Sequence, residues 1–186
     1  MDRVTIWAEI PIVAVIVCKK ANLCYSSTLK PLFNPNSSLQ EQLGRILIIS
    51  DAAHSFGAEL NGKRSGSLTD ISAFSFHAVK NLTTAEGGAL CFNLPNEFKH
   101  EEIYTKFCTM ILHGQNKDAL QKTQKGNWRY DVEEPGFKCN MTDIQAAIGC
   151  AQLEQLEFFT TRREEIWAIY SRELMSSGYF LDQKVH

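Results

Sequence analysis

Apolar residues come in short unbroken runs in the first half of the chain and at helical spacing in the second. Ile46-Leu47-Ile48-Ile49 is continuous, as in a strand buried on both faces of a parallel sheet. Ile71 to Phe76 is predicted as another strand. Ala89 to Phe92 is predicted as a third, after a loop over Thr83 to Gly88. Between the first two runs, Asn61-Gly62, flanked by Lys63, Arg64 and Gly66, predicts a hairpin or an exposed loop. Upstream, Asn34 to Ser38 is a turn cluster. It leads into a short helix end over Leu39 to Leu43, with Gly44 as C-cap. Nearest the N-terminus, Ile10 to Cys18 reads as a buried strand. It falls far short of the roughly 20 residues that span a bilayer, and Lys19-Lys20 stand where a signal segment would need small residues.

In the second half, Asn96 is placed to cap a helix running toward Leu112 and stopping near Gly114. Gln115 to Gly136 is polar and aperiodic, and predicts a long loop. Thr142-Asp143-Ile144-Gln145 has the form of a capping box, in which Thr142 accepts from the third helical N–H and Gln145 reaches back. Ile144, Ile148, Leu153 and Leu156 give that helix an apolar stripe. A charge-rich helix follows from Arg162 to Glu173 and ends near Gly178. Strands alternating with helices point to an α/β sheet. Such sheets bind ligands beyond the carboxyl ends of their strands, where Asp51 and His77 to Lys80 fall.

Composition narrows the class. The 186 residues suffice for one domain with a real core, and 44% hydrophobic with 22% charged residues fits a globular protein free of the membrane. A net charge of −2 gives no basic field to draw nucleic acid or anionic lipid. The six cysteines are scattered, with no C-x-x-C pair. That argues against a zinc site or a disulfide framework, and suits a reducing cytoplasm.

The chemistry lies in a pair. Asp51 ends one apolar run and Lys80 follows another. Pyridoxal phosphate (PLP) catalysis needs such a pair: an amine to form a Schiff base, and a carboxylate to keep the pyridine nitrogen protonated. Taken singly, each residue has a plainer reading. Lys80 is a surface charge, Asp51 a strand-end cap, His54 an exposed or satisfied histidine, Ser75 a buried hydroxyl and Asn140 a turn residue. Thr83 to Gly88 matches no P-loop or dinucleotide fingerprint and reads as a structural loop. Arg162 and Arg163 read as a solvated helix face.

Together the motifs resemble a family. Asp51-Ala52-Ala53-His54, Gly66-Ser67, Ser75-Phe76-His77-x-x-Lys80-Asn81, Thr83-Thr84-x-Glu86-Gly87-Gly88, His113-Gly114 and Met141 to Gly149 occur in the order and spacing of the DegT/DnrJ/EryC1/StrS family. The resemblance covers roughly residues 43 to 175. It implies PLP-dependent aminotransferases acting on nucleotide-linked keto-sugars. The implied fold is the three-layer α/β/α large domain of the aspartate-aminotransferase (type I) fold. Pro135 to Asn140 resembles the branch that makes 4-amino sugars for lipid A or other surface polysaccharides.

By this resemblance Lys80 is the Schiff-base lysine and proton carrier, Asp51 the pyridinium partner and His54 a neighbour of the cofactor ring. Ser75 is a phosphate ligand, and Asn140 reaches the phosphate in the neighbouring subunit's site, which implies a homodimer with composite sites. Glutamate is the implied amino donor. Sugar dehydratases of the family carry histidine in place of the lysine, so Lys80 favours transamination. Residues 1–42 do not resemble the family's segment, which carries a phosphate-binding Gly-Thr/Ser-Ala turn. The family's small C-terminal domain is also unmatched. The expected organisation is therefore an atypical segment 1–42 and a partial large domain over 43–186, a fragment truncated at both ends, and a silent remnant is the alternative to an active enzyme.

Overall fold

The computed structural model describes residues 34–117, 122, 125 and 129–176. The predicted strand at Ile10 to Cys18 and the predicted stop at Gly178 lie outside them. Helix α1 (Ser38–Leu43) forms where the turn cluster ends: Ser37 Oγ accepts from the Gln40 N–H, and Gly44, at φ 66°, donates its N–H to the Gln40 carbonyl. Only glycine enters this left-handed cap without strain.

Three strands form the sheet, in the order β1 (Ile49–Asp51), β4 (Ile71–Ser75), β5 (Gly88–Phe92). β1 runs parallel to β4, with Ile49 opposite Ile71 and Asp51 opposite Ala73. The strand begins later than its apolar run. Ile46 and Leu47 precede it half-buried, and only Ile48 is fully enclosed. β5 returns antiparallel to β4, Ile71 opposite Phe92 and Ser75 opposite Gly88, so the sheet is mixed. The link between them is a loop with no helix, whereas parallel crossovers usually carry one. The Asn61-Gly62 turn closes a hairpin of β2 (Glu59–Leu60) and β3 (Lys63–Arg64). Both turn residues have positive φ, 52° and 75°, as a type I′ turn requires.

Alternation sorts the sheet's faces. Ser72, Phe74 and Phe76 point to the buried side. There Phe74 and Phe76 pack with Ala52 and Leu82, and the Phe56 ring meets both phenylalanines edge-on at 5.2 and 5.4 Å. Ile71, Ala73 and Ser75 point the other way. Register puts Asp51 and Phe92 on that same face. Phe92 packs at 4.9 Å on Phe107 of α2 (His100–Ile111).

One ionic post ties these strands together. Asp70 is wholly buried and takes both arms of the Arg45 guanidinium at 2.5 Å. It also accepts from the Ile48 N–H at 2.9 Å, and its carbonyl accepts from the Asn93 N–H at 2.8 Å. The segments entering β1 and leaving β5 are thus both fixed to the residue that opens β4.

The helical half departs from expectation in three places. α2 starts at His100, not at Asn96, because Pro95 to Phe98 forms a turn of its own, closed by the Phe98 N–H on the Pro95 carbonyl. The described part of the expected long loop is ordered against the end of α2. The Phe137 and Cys139 N–H groups donate to the Met110 and Ile111 carbonyls, and a Cβ on Gly114 would sit 1.7 Å from the Glu134 carbonyl oxygen. The last difference concerns the capped helix, α3 (Asp143–Glu154). Its capping box forms as read, Thr142 with Gln145. Its apolar stripe, however, does not face the core: Ile144 is 77% and Leu153 52% exposed. Leu156 opens the next helix, α4 (Leu156–Ser176), which begins before the predicted Arg162. The packing side of α3 is marked by a small residue. Gly149 is buried, and a Cβ there would come within 3.0 Å of the Thr84 methyl. Close approach of the helix needs a small residue more than an apolar one. Among the described residues, no helix is long and apolar enough to cross a membrane.

Candidate active site

The site assembles at the carboxyl end of the parallel pair. Asp51 is the last residue of β1. The Ala52 N–H still donates to the Ala73 carbonyl, so the chain leaves the sheet only after the carboxylate has been set at its rim. Asp51 Oδ1 accepts from the Ala53 N–H at 3.1 Å, a local turn that orients the exposed carboxylate. Among the described residues no cation pairs with it. Ser75 ends β4 on the same face, and its Oγ accepts from the His77 N–H at 3.3 Å.

Beyond β4 the chain makes a tight turn in which the Lys80 N–H donates to the His77 carbonyl at 3.0 Å. Lys80 thereby turns back toward the loop after β1. Its Nζ lies 2.7 Å from His54 Nε2, a contact across 26 positions of sequence. The structure therefore brings Lys80 and His54 into direct contact, and sets Asp51 and Ser75 on one face of the adjoining strand ends. It does not bring Asn140 to these four. Asn140 Oδ1 accepts from Lys138 Nζ, ahead of the α3 cap.

The loop from Thr83 to Gly88 folds back on the end of β4. The Phe76 carbonyl accepts from the Thr84 N–H and from Thr83 Oγ1, and the Phe76 N–H donates to the Gly87 carbonyl. The His77 ring meets the Glu86 carboxylate at 2.8 Å. The Glu86 carbonyl accepts from Gln145 Nε2 of α3 at 2.9 Å. Within the loop the Ala85 N–H donates to Thr83 Oγ1 at 3.0 Å, and Thr84 Oγ1 donates to the Glu86 carbonyl at 2.9 Å.

Two residues to which sequence reasoning assigned no separate role hold the loops of this site. Asn81 Nδ2 donates to the His54 carbonyl at 3.0 Å and to the Phe56 carbonyl at 3.3 Å. Arg163, read as solvated, donates from α4 to the Asn81 carbonyl at 3.2 Å. These partners stand 27, 25 and 82 positions apart, so no local pattern could have announced them.

In sequence and in fold the chain is similar to known proteins. Residues 40–186 match the model of the DegT/DnrJ/EryC1/StrS aminotransferase family. The chain is 41% identical over 142 residues to the spore coat polysaccharide biosynthesis protein SpsC of Bacillus subtilis, covering 76% of this chain and 35% of that one. It is 36% identical over 140 residues to the UDP-4-amino-4,6-dideoxy-N-acetyl-beta-L-altrosamine transaminase of Campylobacter jejuni, covering 75% of this chain and 34% of that one. Among solved structures it resembles Spr1654 of Streptococcus pneumoniae, described as a sugar aminotransferase, in its PMP form. There the TM-score is 0.74 at 41% identity, covering 86% of this chain and 41% of that one. The chain thus spans about a third of the length of these curated relatives. Its sheet and helices are part of the type I large-domain fold those structures share. The chain belongs to the DegT/DnrJ/EryC1/StrS aminotransferase family.

Proposed function

We propose that this chain carries the cofactor-holding centre of a PLP-dependent aminotransferase. It passes an amino group from glutamate to a nucleotide-linked keto-sugar for surface polysaccharide synthesis. The observation that carries the reading is the Lys80–His54 contact at 2.7 Å, beside a carboxylate at the rim of β1. The donor set fits the cofactor: an amine on a turn, an exposed carboxylate with no cation partner among the described residues and a strand-end hydroxyl.

PLP bound here supplies an electron sink for the electrons released at the amino donor's α-carbon. Lys80 holds the cofactor through Nζ and, once displaced, carries the proton. Asp51 keeps the ring nitrogen protonated. Ser75 donates its hydroxyl to the phosphate. His54 limits where the lysine amine can go. Asn140 serves the site of a second subunit, in a homodimer.

The names of SpsC and of the Campylobacter transaminase support the sugar and the polysaccharide context. Lys80 supports transamination over dehydration. The test is the first half-reaction. Purified protein loaded with PLP is mixed with L-glutamate, and one equivalent of 2-oxoglutarate per bound cofactor is expected. Cofactor retained on the lysine with no 2-oxoglutarate formed would refute aminotransfer from glutamate.

A further inference from the structure

We propose that Asn81 is a positioning residue that sets the Lys80–His54 contact, and that Arg163 anchors it from α4. His54 is exposed, so packing does not place its ring. Its position is set through its own backbone, and there Asn81 Nδ2 takes hold. A side-chain amide has two N–H donors. Here both are directed to carbonyls of one loop, those of His54 and Phe56. Phe56 is the rigid end of that loop, because its ring is wedged against Phe74 and Phe76. Asn81 therefore ties the histidine to the aromatic core from the position next to Lys80. The Lys80 side chain has four rotatable bonds, and a fixed acceptor at 2.7 Å narrows where its amine sits.

The outer support comes from α4. Arg163 donates to the Asn81 carbonyl at 3.2 Å, and its guanidinium lies 5.8 Å from the centre of the Phe159 ring one turn earlier. The long helix is thus linked to the lysine through Asn81 and His54. The consequence for cofactor affinity rests on the function proposed above, whereas the positioning itself does not.

The experiment measures Lys80 reactivity in the whole chain without added cofactor. Reductive methylation is followed by peptide mass spectrometry, with Lys63 as internal control. His54→Ala should speed Lys80 labelling by about threefold to tenfold, the loss of one hydrogen bond. Asn81→Ala should do the same, and the double variant should be no faster than either single one, because both act on one contact. Asn81→Asp should match or exceed Asn81→Ala, since it keeps the shape but turns an acceptor toward two carbonyl oxygens. An unchanged rate in Asn81→Ala, or an effect that adds to that of His54→Ala, would overturn the proposal. If Asn81→Ala lacks a cooperative melt, Arg163→Ala decides. It should speed Lys80 in the native background and not in His54→Ala, and no change in the native background counts against the proposal. PLP trapping run in parallel separates the two ideas. Wild-type protein that fails to bind PLP removes the functional reading and leaves the labelling result standing.

Discussion

At the residue scale, the site depends on where two strands end. Asp51 and Ser75 owe their places to register, and Lys80 owes its place to a tight turn that returns it to His54. Asp51→Asn keeps the shape and the local turn but removes the negative charge that would hold the ring nitrogen's proton. The glutamate half-reaction should fall on the order of 100-fold or more, as when a preorganised charge is taken from a reacting group. PLP should still be trapped on the lysine. A half-reaction rate within threefold of wild type would remove Asp51 from its proposed role; stopped-flow absorbance gives that number. Asp51 and Lys80 stood out because each follows an apolar run, whereas the roles given to Ser75 and His54 came from the family resemblance. The contacts of Asn81 and Arg163 were not legible, since their partners are brought near only by the folded chain.

At the element scale, hydrophobic pattern located strands better than it located helix faces. The Asn61-Gly62 hairpin, the Gly44 cap and the Thr142 capping box all formed where short-range chemistry placed them. The α3 face was misread because its contact is made by Gly149 against Thr84, and a glycine adds nothing to an apolar stripe. The start of α2 was misread because a proline turn outcompeted the Asn96 cap. Buried charge was also invisible from sequence. Asp70 is enclosed, while its partner Arg45 stays partly in water. Replacing Asp70 with asparagine removes the buried negative charge and one of the two charge-assisted bonds that Arg45 makes to it. We expect a loss of about 3 kcal/mol in urea unfolding, near the low end for breaking a buried pair. A loss under about 0.5 kcal/mol would show that the post is peripheral to the sheet.

At the scale of the whole molecule, α3 and α4 leave several large apolar side chains exposed. Ile144, Phe158, Trp167 and Tyr170 are each more than half exposed, on α3 and α4. The proposed homodimer, with Asn140 serving the opposite site, makes a mixing prediction. Lys80→Met and Asn140→Ala proteins should each transfer poorly alone. Mixed after mild dissociation, they should recover about a quarter of the wild-type activity, because random pairing gives half heterodimers with one intact site each. Mixing without any recovery would place Asn140 outside the second subunit's site.

The most direct measurement fixes PLP to the protein. The purified chain is saturated with PLP, reduced with borohydride, digested and mapped by mass spectrometry, with circular dichroism confirming that it is folded. The account predicts one phosphopyridoxyl group, on Lys80, absent from Lys80→Met. A folded protein that carries no label at saturating cofactor, or carries it on other lysines, would contradict it.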